Sequence, residues 1–423
     1  SVKTSFDSDT GALRVDADAY DADLEALIDG YGFRNVCLPR ALLGSQRTLA
    51  DSYLSTGHAV GSDAFWPLHD TYLTGMGDYY RSRGRAHNVV YCMMDEIQPE
   101  LQEVAAGIGR SAKQHFPEVK VLLTTHEMPD HLAGALDIWC VPWHFFATRP
   151  EAVHRWDALR ARGLTLWTYM NSLYILNADW NPGALRLFPA VIAKYGYSGA
   201  LWWQLRYYGD GDPWAQGLAT MTDSKRNRRF YGSGYLIYPP REGETGWHSS
   251  LRWENYRQGL DEYELMALLR ARWEDVARAL GPAADEEAFS ADHAMRWWGS
   301  MLSHEFRVQT FRRDTAYIHR FRQLIANEIK ELGKPPLALI DCEPDEACGM
   351  TSDTLHIRGL CAAGTEVEVA GRAVGQSSEE GAFVFTANER LGEGVNLIPI
   401  RLSDRDGNSK VLYREVACPA TAR

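Results

Sequence analysis

The stretch "NVVYCMMDEIQPE", residues 88–100, joins a hydrophobic run to two adjacent carboxylates, Asp95 and Glu96. The run "NVVYCMM" is short and almost continuously apolar, as expected for a parallel strand that is buried on both faces. Asp95 is a possible cap for the next helix, but Pro99 suits the first helical position, which makes Gln98 the better N-cap. We therefore expect both carboxylates in the loop after the strand, at the end of a parallel sheet where ligands bind.

Apolar runs and helix-like segments alternate on both sides of this stretch. Runs typical of strands occupy residues 33–39, 88–94, 119–125, 136–142, 163–169 and 198–204. Helix-like segments occupy residues 65–84, 99–115, 150–162 and 183–195. Strands separated by helices predict a parallel sheet, and the pattern fits an open wound sheet as well as a barrel.

The pattern changes after residue 204. One long helix is predicted over residues 251–280, between a serine N-cap and the Gly-Pro pair that follows. Beyond the linker "LGKPPLA", residues 332–338, apolar and polar residues alternate with a period of two, which predicts a small β-sandwich. We expect two domains: residues 1–335 with the parallel sheet and its helices, and residues 336–423 with the sandwich.

Composition narrows the range of partners. The chain has 423 residues and a formal net charge of -12, so a polyanionic partner such as nucleic acid is not expected. No apolar stretch of the sequence reaches the roughly 18 residues that a membrane-spanning helix needs. The 14 Trp and 20 Tyr are a rich supply of aromatic faces, on which ligands such as sugars can stack.

The seven cysteines fall into two groups. Cys37, Cys92 and Cys140 lie in apolar runs, where buried free thiols are expected. The other four lie in the predicted sandwich, where one disulfide is expected but no pairing is favoured. These four are Cys342, Cys348, Cys361 and Cys418.

The adjacency of Asp95 and Glu96 restricts the chemistry that they can perform. Glycosidases require two carboxyl functions near one glycosidic bond, but direct neighbours on a strand point to opposite faces. Such a pair can hardly act as a conventional acid and nucleophile. It fits the substrate-assisted route better, in which the 2-acetamido oxygen of the substrate attacks the anomeric carbon. One carboxylate then stabilises the acetamido group, while the other donates a proton to the leaving oxygen.

Three segments resemble the catalytic domain of glycoside hydrolase family 123. They are "YCMMDE" (91–96), "ALRLFPAVIAKYGYSGALWWQL" (184–205) and "GSGYLIYPP…SSLRWENYRQGLDEYELMALL" (232–269). The resemblance covers about residues 10–270 and implies a retaining β-N-acetylgalactosaminidase with a (β/α)8 barrel and the substrate-assisted route. Matched onto this sequence, it makes Asp95 the residue that orients the acetamido group and Glu96 the general acid/base. It implies no metal and no organic cofactor.

The resemblance also raises the question of strand number. In related hexosaminidase barrels the Asp-Glu pair ends the fourth strand, whereas here its strand is only the second that the pattern shows. Either residues 1–30 contain part of the first two strands, or the sequence begins inside a longer protein, which the non-Met start favours. In the second case an amino-terminal segment or another chain would complete the barrel. The oligomeric state is left open.

Several strand ends offer side chains for a sugar pocket, because ligands bind at the carboxyl ends of barrel strands. Aromatic residues in strands are more often core, but the terminal position favours a pocket role for Tyr169 and Trp203. The full set of predicted substrate contacts is His126, Trp139, Trp143, Tyr169, Trp203, Gln204 and Tyr208.

The segment "THEMPDH", residues 125–131, is not predicted to bind zinc. Three residues separate Glu127 from His131, where the metalloprotease helix has two, and Pro129 would break such a helix.

The carboxyl-terminal segment "GTEVEV…DRDGN", residues 364–408, resembles bacterial immunoglobulin-like modules. Such modules are common on extracytoplasmic glycan-processing enzymes, so an extracytoplasmic or secreted location is expected, with a cytoplasmic one still open. No exposed aromatic array is evident in this segment, which favours a spacer or packing role over sugar binding.

The sequence thus predicts an α/β (β/α)8-type barrel with an immunoglobulin-like sandwich, and a retaining exo-glycosidase for terminal β-linked N-acetylgalactosamine. One alternative keeps the fold and changes the sugar, to β-N-acetylglucosamine or to a sugar without an acetamido group. Another is a carbohydrate-binding protein with a decayed site, which the intact Asp-Glu pair disfavours.

Overall fold

The computed structural model describes residues 3–6, 13–38, 58–125, 130–149, 152–170, 183–202, 204–206, 212–216, 220–223, 228–303, 315–343, 354–374 and 381–418. The chain divides into two compact units. The first comprises residues 1–170 and 197–201, and the second comprises residues 171–196 and 202–423. Among the helices of the described ranges, none has both the length and the apolar character to span a membrane.

A parallel half-barrel forms the centre of the first unit. It follows a two-stranded antiparallel hairpin, β1 (Lys3–Phe6) and β2 (Leu13–Asp16). Its six strands are neighbours in chain order: β3 (Val36–Cys37), β4 (Val89–Asp95), β5 (Lys120–Thr124), β6 (Ile138–Pro142), β7 (Thr165–Met170) and β8 (Gly199–Trp202). Each falls on one of the six predicted apolar runs, so the parallel sheet is confirmed. The eight-stranded closure that the family resemblance implied is not present in the described ranges, where the sheet has these six strands.

The central strands β4 to β7 are largely buried on both faces, as their apolar runs predicted, whereas β3 and β8 at the two edges are less buried. One face, called the inner face below, carries a cluster made of strand residues alone: Val90, Cys92, Leu122, Ile138, Trp167, Cys140, Tyr169 and Leu201. On the other face, strand residues cluster with side chains of flanking helices; the strand members include Tyr91, Met93, Met94, Val121 and Leu123.

A β-bulge in β4 interrupts the alternation of its side chains. The register with β5 shifts between Cys92 and Met94, so that Met93 is an extra residue. In a regular strand Asp95 would share a face with Met93, on the side that packs against helices. The shift instead pairs Asp95 with Thr124, which lies two residues after an inner-face leucine of β5. The bulge therefore turns Asp95 towards the inner face, and bulges beside active sites commonly re-aim a side chain in this way.

Three of the five helices described in the first unit confirm predicted segments, with slightly shorter ends, whereas the eight-residue and four-residue helices among them were not predicted. The five helices are α1 (Asp18–Glu25), α2 (Phe65–Ser82), α3 (Gln102–His115), α4 (Phe145–Thr148) and α5 (Ala152–Ala161). A 3₁₀ turn, Pro99–Leu101, leads into α3, and Gln98 before it is extended. Pro99 therefore begins the helical segment as predicted, and the two carboxylates lie outside it.

The second unit contains five helices in its described ranges: α6 (Gly183–Tyr195), α7 (Pro213–Gln216), α8 (Leu251–Leu280), α9 (Ala291–Ser303) and α10 (Thr315–Leu332). The bounds of α8 agree with the prediction, and the Ser250 hydroxyl caps it by accepting the Trp253 N–H at 3.1 Å. Glu262 of α8 is buried and binds Arg186 of α6 and Arg322 of α10, each at 2.7 Å. This buried carboxylate therefore connects α8 to α6 and α10 and has a structural role.

Two short antiparallel hairpins precede α8. Their strands are β9 (Thr220–Asp223) with β10 (Arg228–Tyr231), and β11 (Ile237–Tyr238) with β12 (His248–Ser249).

Two antiparallel sheets follow α10, as the period of two predicted. The first has the order β13-β14-β17, with β13 (Ala338–Glu343), β14 (Thr354–Cys361) and β17 (Phe383–Arg390). The second has the order β16-β15-β18-β19, with β15 (Glu366–Val369), β16 (Arg372–Ala373), β18 (Gly394–Ser403) and β19 (Ser409–Cys418). The predicted domain boundary at residues 335 and 336 lies inside the second unit, between α10 and β13.

The described cysteines correct part of the thiol prediction. Cys342 and Cys361 are both buried and free, so neither forms the predicted disulfide. Of the pairings left open, only that of Cys348 with Cys418 stays a prediction, and it lies outside the described side chains. Cys37 is exposed rather than buried, because its strand is short and lies first in the sheet order.

Candidate active site

The carboxylate pair lies at the carboxyl end of β4. Asp95 is the last residue of that strand, and Glu96 follows it directly. Both side chains are partly buried. Because strands of a parallel sheet present their carboxyl ends at one edge, the pair stands where β/α folds bind ligands.

Glu96 has a left-handed backbone, with φ at 44°. A non-glycine residue in this region costs about 1–3 kcal/mol and persists only where its surroundings hold it. Here its N–H donates to the Thr124 carbonyl oxygen at 3.0 Å and also lies 3.2 Å from Thr124 Oγ1. The turn ends the extended alternation, so Glu96 need not point away from Asp95 as the next residue of a strand would.

Each carboxylate accepts a hydrogen bond from a hydroxyl group. Thr124 Oγ1 donates to Asp95 Oδ1 at 2.8 Å. Tyr169, an inner-face residue of β7, donates through Oη to Glu96 Oε1, also at 2.8 Å. Both carboxylates are thus held at the same face of the sheet.

The environment of Tyr169 keeps its hydroxyl a donor. Burial, and then the negative charge of Glu96, raise the pKa of this phenol well above its usual range. The negative charge of Asp95 also raises the pKa of Tyr169, because Asp95 lies near the same hydroxyl. The site therefore combines two adjacent carboxylates with a phenol that stays protonated at every physiological pH.

The sequence model of one family, described as the glycoside hydrolase 123 catalytic domain, matches residues 47–269. The chain belongs to glycoside hydrolase family 123. The resemblance found in the sequence is thereby confirmed. The matched region includes the carboxylate pair, Thr124 and Tyr169.

A solved structure of the same family shares the fold. A family 123 glycoside hydrolase from Clostridium perfringens, described for the hydrolysis of glycolipid glycans, has a TM-score of 0.51 at 13% identity over 78% of this chain. This chain spans 59% of that protein. At such low identity the likeness shows the fold alone.

Two more distant structures superpose too loosely to support an argument. An FMN-binding β-glucuronidase from Facaelibacterium prausnitzii has a TM-score of 0.27 at 10% identity and covers 99% of this chain and 60% of its own. A Cellulomonas fimi endo-β-1,4-mannanase double mutant has a TM-score of 0.31 at 10% identity; the match covers 94% of this chain and 80% of the mannanase. No curated protein matches the sequence significantly.

Two of the predicted aromatic contacts of this family 123 chain are core residues in the structure. Trp139 is 0% exposed and lies between Ile138 and Cys140, which face inwards, so its own side chain is on the opposite face. Trp143, just after β6, is 2% exposed. Neither indole presents appreciable surface to a ligand here. Tyr169 is also buried, but its hydroxyl donates to Glu96 of the carboxylate pair.

Of the remaining predicted substrate contacts, one lies within the described residues and three do not. Gln204 belongs to the second unit and is half-buried. His126, Trp203 and Tyr208 lie outside the described residues, so their pocket roles stay predictions. In the described part of the chain, no group of three or more His, Cys, Asp or Glu side chains is arranged to hold a metal ion.

The sequence analysis missed Thr124. It ends a strand that was correctly identified, and a threonine at the carboxyl end of the strand next to Asp95 is the signal that was available. Its importance depends on the register between β4 and β5, which the bulge sets and the apolar pattern does not reveal.

Proposed function

We propose that this family 123 chain is a retaining exo-glycosidase that hydrolyses terminal β-linked N-acetylgalactosamine by the substrate-assisted route. The observation that carries this proposal is the fixed pair of adjacent carboxylates, Asp95 and Glu96, each held by a hydroxyl group at one face of the sheet. A conventional retaining pair must flank the glycosidic bond from two sides, about 5–5.5 Å apart. Consecutive residues whose side chains meet at one face suit a mechanism in which the substrate itself supplies the nucleophile.

In the first step the 2-acetamido oxygen attacks the anomeric carbon as the glycosidic bond breaks. Glu96, protonated, gives its proton to the leaving oxygen. Asp95, ionised, accepts the acetamido N–H and stabilises the positive charge of the oxazolinium ring that forms. Because the nucleophile belongs to the substrate, no covalent enzyme intermediate is needed.

In the second step water opens the oxazolinium ring at the anomeric carbon. Glu96, now a carboxylate, takes a proton from that water and returns to its starting state. Two inversions at one carbon give net retention. Tyr169 holds Glu96 Oε1 through the cycle, which keeps the acid/base aimed at the oxygen that it protonates and then deprotonates.

Three aryl glycosides separate this proposal from its alternatives. We expect rapid cleavage of aryl β-N-acetylgalactosaminide, slower cleavage of the β-N-acetylglucosaminide and almost none of the plain β-galactoside, which lacks the nucleophile. Similar rates on the plain galactoside would overturn substrate assistance. A preference for the glucosaminide would keep the mechanism and change the sugar. A glycolipid glycan with terminal β-N-acetylgalactosamine then tests action on a natural type of substrate.

Variants of the pair test the two roles. Glu96→Gln is expected to lower kcat about 10²- to 10⁴-fold on poor leaving groups, and less on activated aryl groups that need no proton. Asp95→Asn should lower kcat on both kinds of substrate, by about 10²- to 10³-fold, because the charge that stabilises the ring is lost. Glu103→Gln, an exposed carboxylate of α3, is the control and should leave kcat unchanged. An unaltered rate in Glu96→Gln would remove Glu96 from the mechanism.

A further inference from the structure

We propose that Thr124 is a positioning residue that sets the geometry of both carboxylates. This inference rests on the proposed substrate-assisted function. Thr124 ends β5 and is only 3% exposed. Its hydroxyl donates to Asp95 Oδ1 at 2.8 Å, and its carbonyl oxygen accepts the N–H of Glu96 at 3.0 Å. One residue on a neighbouring strand thus contacts both members of the pair, through two different groups.

The hydroxyl acts on the side chain of Asp95. A carboxylate turns freely about its terminal bond, and a hydrogen bond to one oxygen removes that freedom. Within the described residues Asp95 Oδ2 carries no hydrogen bond, so Thr124 leaves this oxygen to accept the acetamido N–H. Fixing the acceptor before the substrate arrives avoids reorganisation in the transition state.

The carbonyl group acts on the backbone of Glu96. It accepts the N–H of a residue held at φ 44°, and so stabilises the turn that brings Glu96 alongside Asp95. This second bond involves only backbone atoms of Thr124 and survives a change of side chain, whereas the longer contact of the same N–H with Thr124 Oγ1, at 3.2 Å, is lost with the hydroxyl. Substitution of the Thr124 side chain should therefore disturb Asp95 more than Glu96. The resulting loss of kcat should then depend on the presence of the Asp95 carboxylate.

Substitution of a threonine with a purely structural role should affect stability and leave kcat unchanged. Thr168 on β7 is the matched case, because it is a buried threonine with 0% exposure in the neighbouring part of the same sheet. It lies between the inner-face residues Trp167 and Tyr169, so its side chain is on the opposite face. Thr168→Val should change stability only.

The first experiment compares Thr124→Val, Thr124→Ser and Thr168→Val on aryl β-N-acetylgalactosaminide. Loss of a hydrogen bond to a charged group predicts a fall in kcat of about ten- to a hundredfold for Thr124→Val, with KM changed less than about threefold. Thr124→Ser keeps the hydroxyl and should stay within about threefold of the wild type. If Thr124→Val does not fold, Thr124→Ala compared with Thr124→Ser makes the same test. Equal kcat values for wild type and Thr124→Val would overturn the proposal.

A double-mutant cycle with Asp95→Asn shows whether Thr124 acts through Asp95. If it does, Thr124→Val should cost less than about threefold in the Asp95→Asn background, because the group that it positions is already lost. Fully additive losses would contradict the proposal. Failure of the wild type on all three aryl glycosides would count against the proposed function, whereas an active wild type with an indifferent Thr124 counts against this inference alone.

Discussion

Glu96 shows how one backbone angle decides what a carboxylate can reach. The sequence suggested that direct neighbours on a strand face opposite ways, and on that ground adjacency looked unsuitable for a pair acting on one bond. The structure resolves the conflict with a bulge before Asp95 and a left-handed residue directly after it. A strained residue is retained where its environment holds it. Here Thr124 and Tyr169 each donate a hydrogen bond to a carboxylate of the pair, and the Glu96 N–H donates to the Thr124 carbonyl oxygen.

Tyr169 allows a prediction about the acid/base. Tyr169→Phe removes the 2.8 Å bond to Glu96 Oε1 and is expected to lower kcat about tenfold or more, since a hydrogen bond to a charged group is worth roughly 1.5–3 kcal/mol. Steady-state kinetics on aryl β-N-acetylgalactosaminide measure the loss. The control is Tyr91→Phe, which removes a buried hydroxyl from the opposite face and should leave kcat unchanged. Equal kcat values in Tyr169→Phe and the wild type would contradict a role for the phenol.

The residues of the site were predictable to different degrees. Asp95 and Glu96 were found because a buried strand that ends in carboxylates is visible in a linear pattern. Tyr169 was found for its position at a strand end, although its partner turned out to be Glu96. Trp139 was misjudged because a strand buried on both faces hides which face each aromatic occupies. The role of Thr124 depends on strand register, which no local pattern encodes.

At the scale of elements, α2 is anchored by one buried histidine. His69 Nδ1 lies 3.1 Å from Ser111 Oγ of α3, and His69 Nε2 lies 3.1 Å from Tyr91 Oη of β4. Burial lowers the pKa of this imidazole to about 4, against an ordinary value of 6.5, although the neighbouring Asp70 opposes the shift. The folded protein therefore keeps His69 neutral under conditions in which the unfolded chain protonates it.

This anchor predicts a dependence of stability on pH. Between about pH 6.5 and about pH 4 the unfolded chain binds the proton and the folded chain does not, so the free energy of unfolding falls as the pH falls. A shift of this size corresponds to about 3 kcal/mol across the window. Denaturant unfolding at several pH values measures the slope. His69→Asn should flatten it, whereas His58→Asn, at an exposed position, should not. An unchanged slope in His69→Asn would assign the acid sensitivity to other groups.

At the scale of the whole molecule, the alternation of apolar runs and helices predicted six strands, and all six are present in the described residues. Burial on both faces gives such strands a strong linear pattern, which is why they were found. The joining of helices to the carboxyl-terminal sheets was not predictable, because it depends on residues far apart in the chain. Within the second unit, α10 and the strands after it share polar contacts, for example the partly buried hydrogen bond that Asn327 Nδ2 donates to the Val411 carbonyl oxygen at 3.1 Å. This contact joins α10 to β19, whereas the spacer or packing role of the carboxyl-terminal segment stays a prediction.

A buried ion pair also joins α10 to β19. Arg414, 0% exposed, donates from both terminal nitrogens to the two oxygens of Glu328, at 3.0 and 2.9 Å, and also to the Ile340 carbonyl of β13. Removing one partner of such a pair leaves a buried charge, which costs about 3–5 kcal/mol. Glu328→Gln keeps the shape and removes the charge, so we expect a loss of that order in the free energy of unfolding.

Denaturant unfolding of this variant should be compared with Asp275→Asn, which breaks an exposed pair with Arg278 on α8 and should cost less than about 1 kcal/mol. Glu328→Gln is far from the carboxylate pair in sequence and lies in the other unit, so the folded variant should retain its kcat on aryl β-N-acetylgalactosaminide. A loss no larger than that of Asp275→Asn would mean that the ion pair contributes little to the free energy of unfolding.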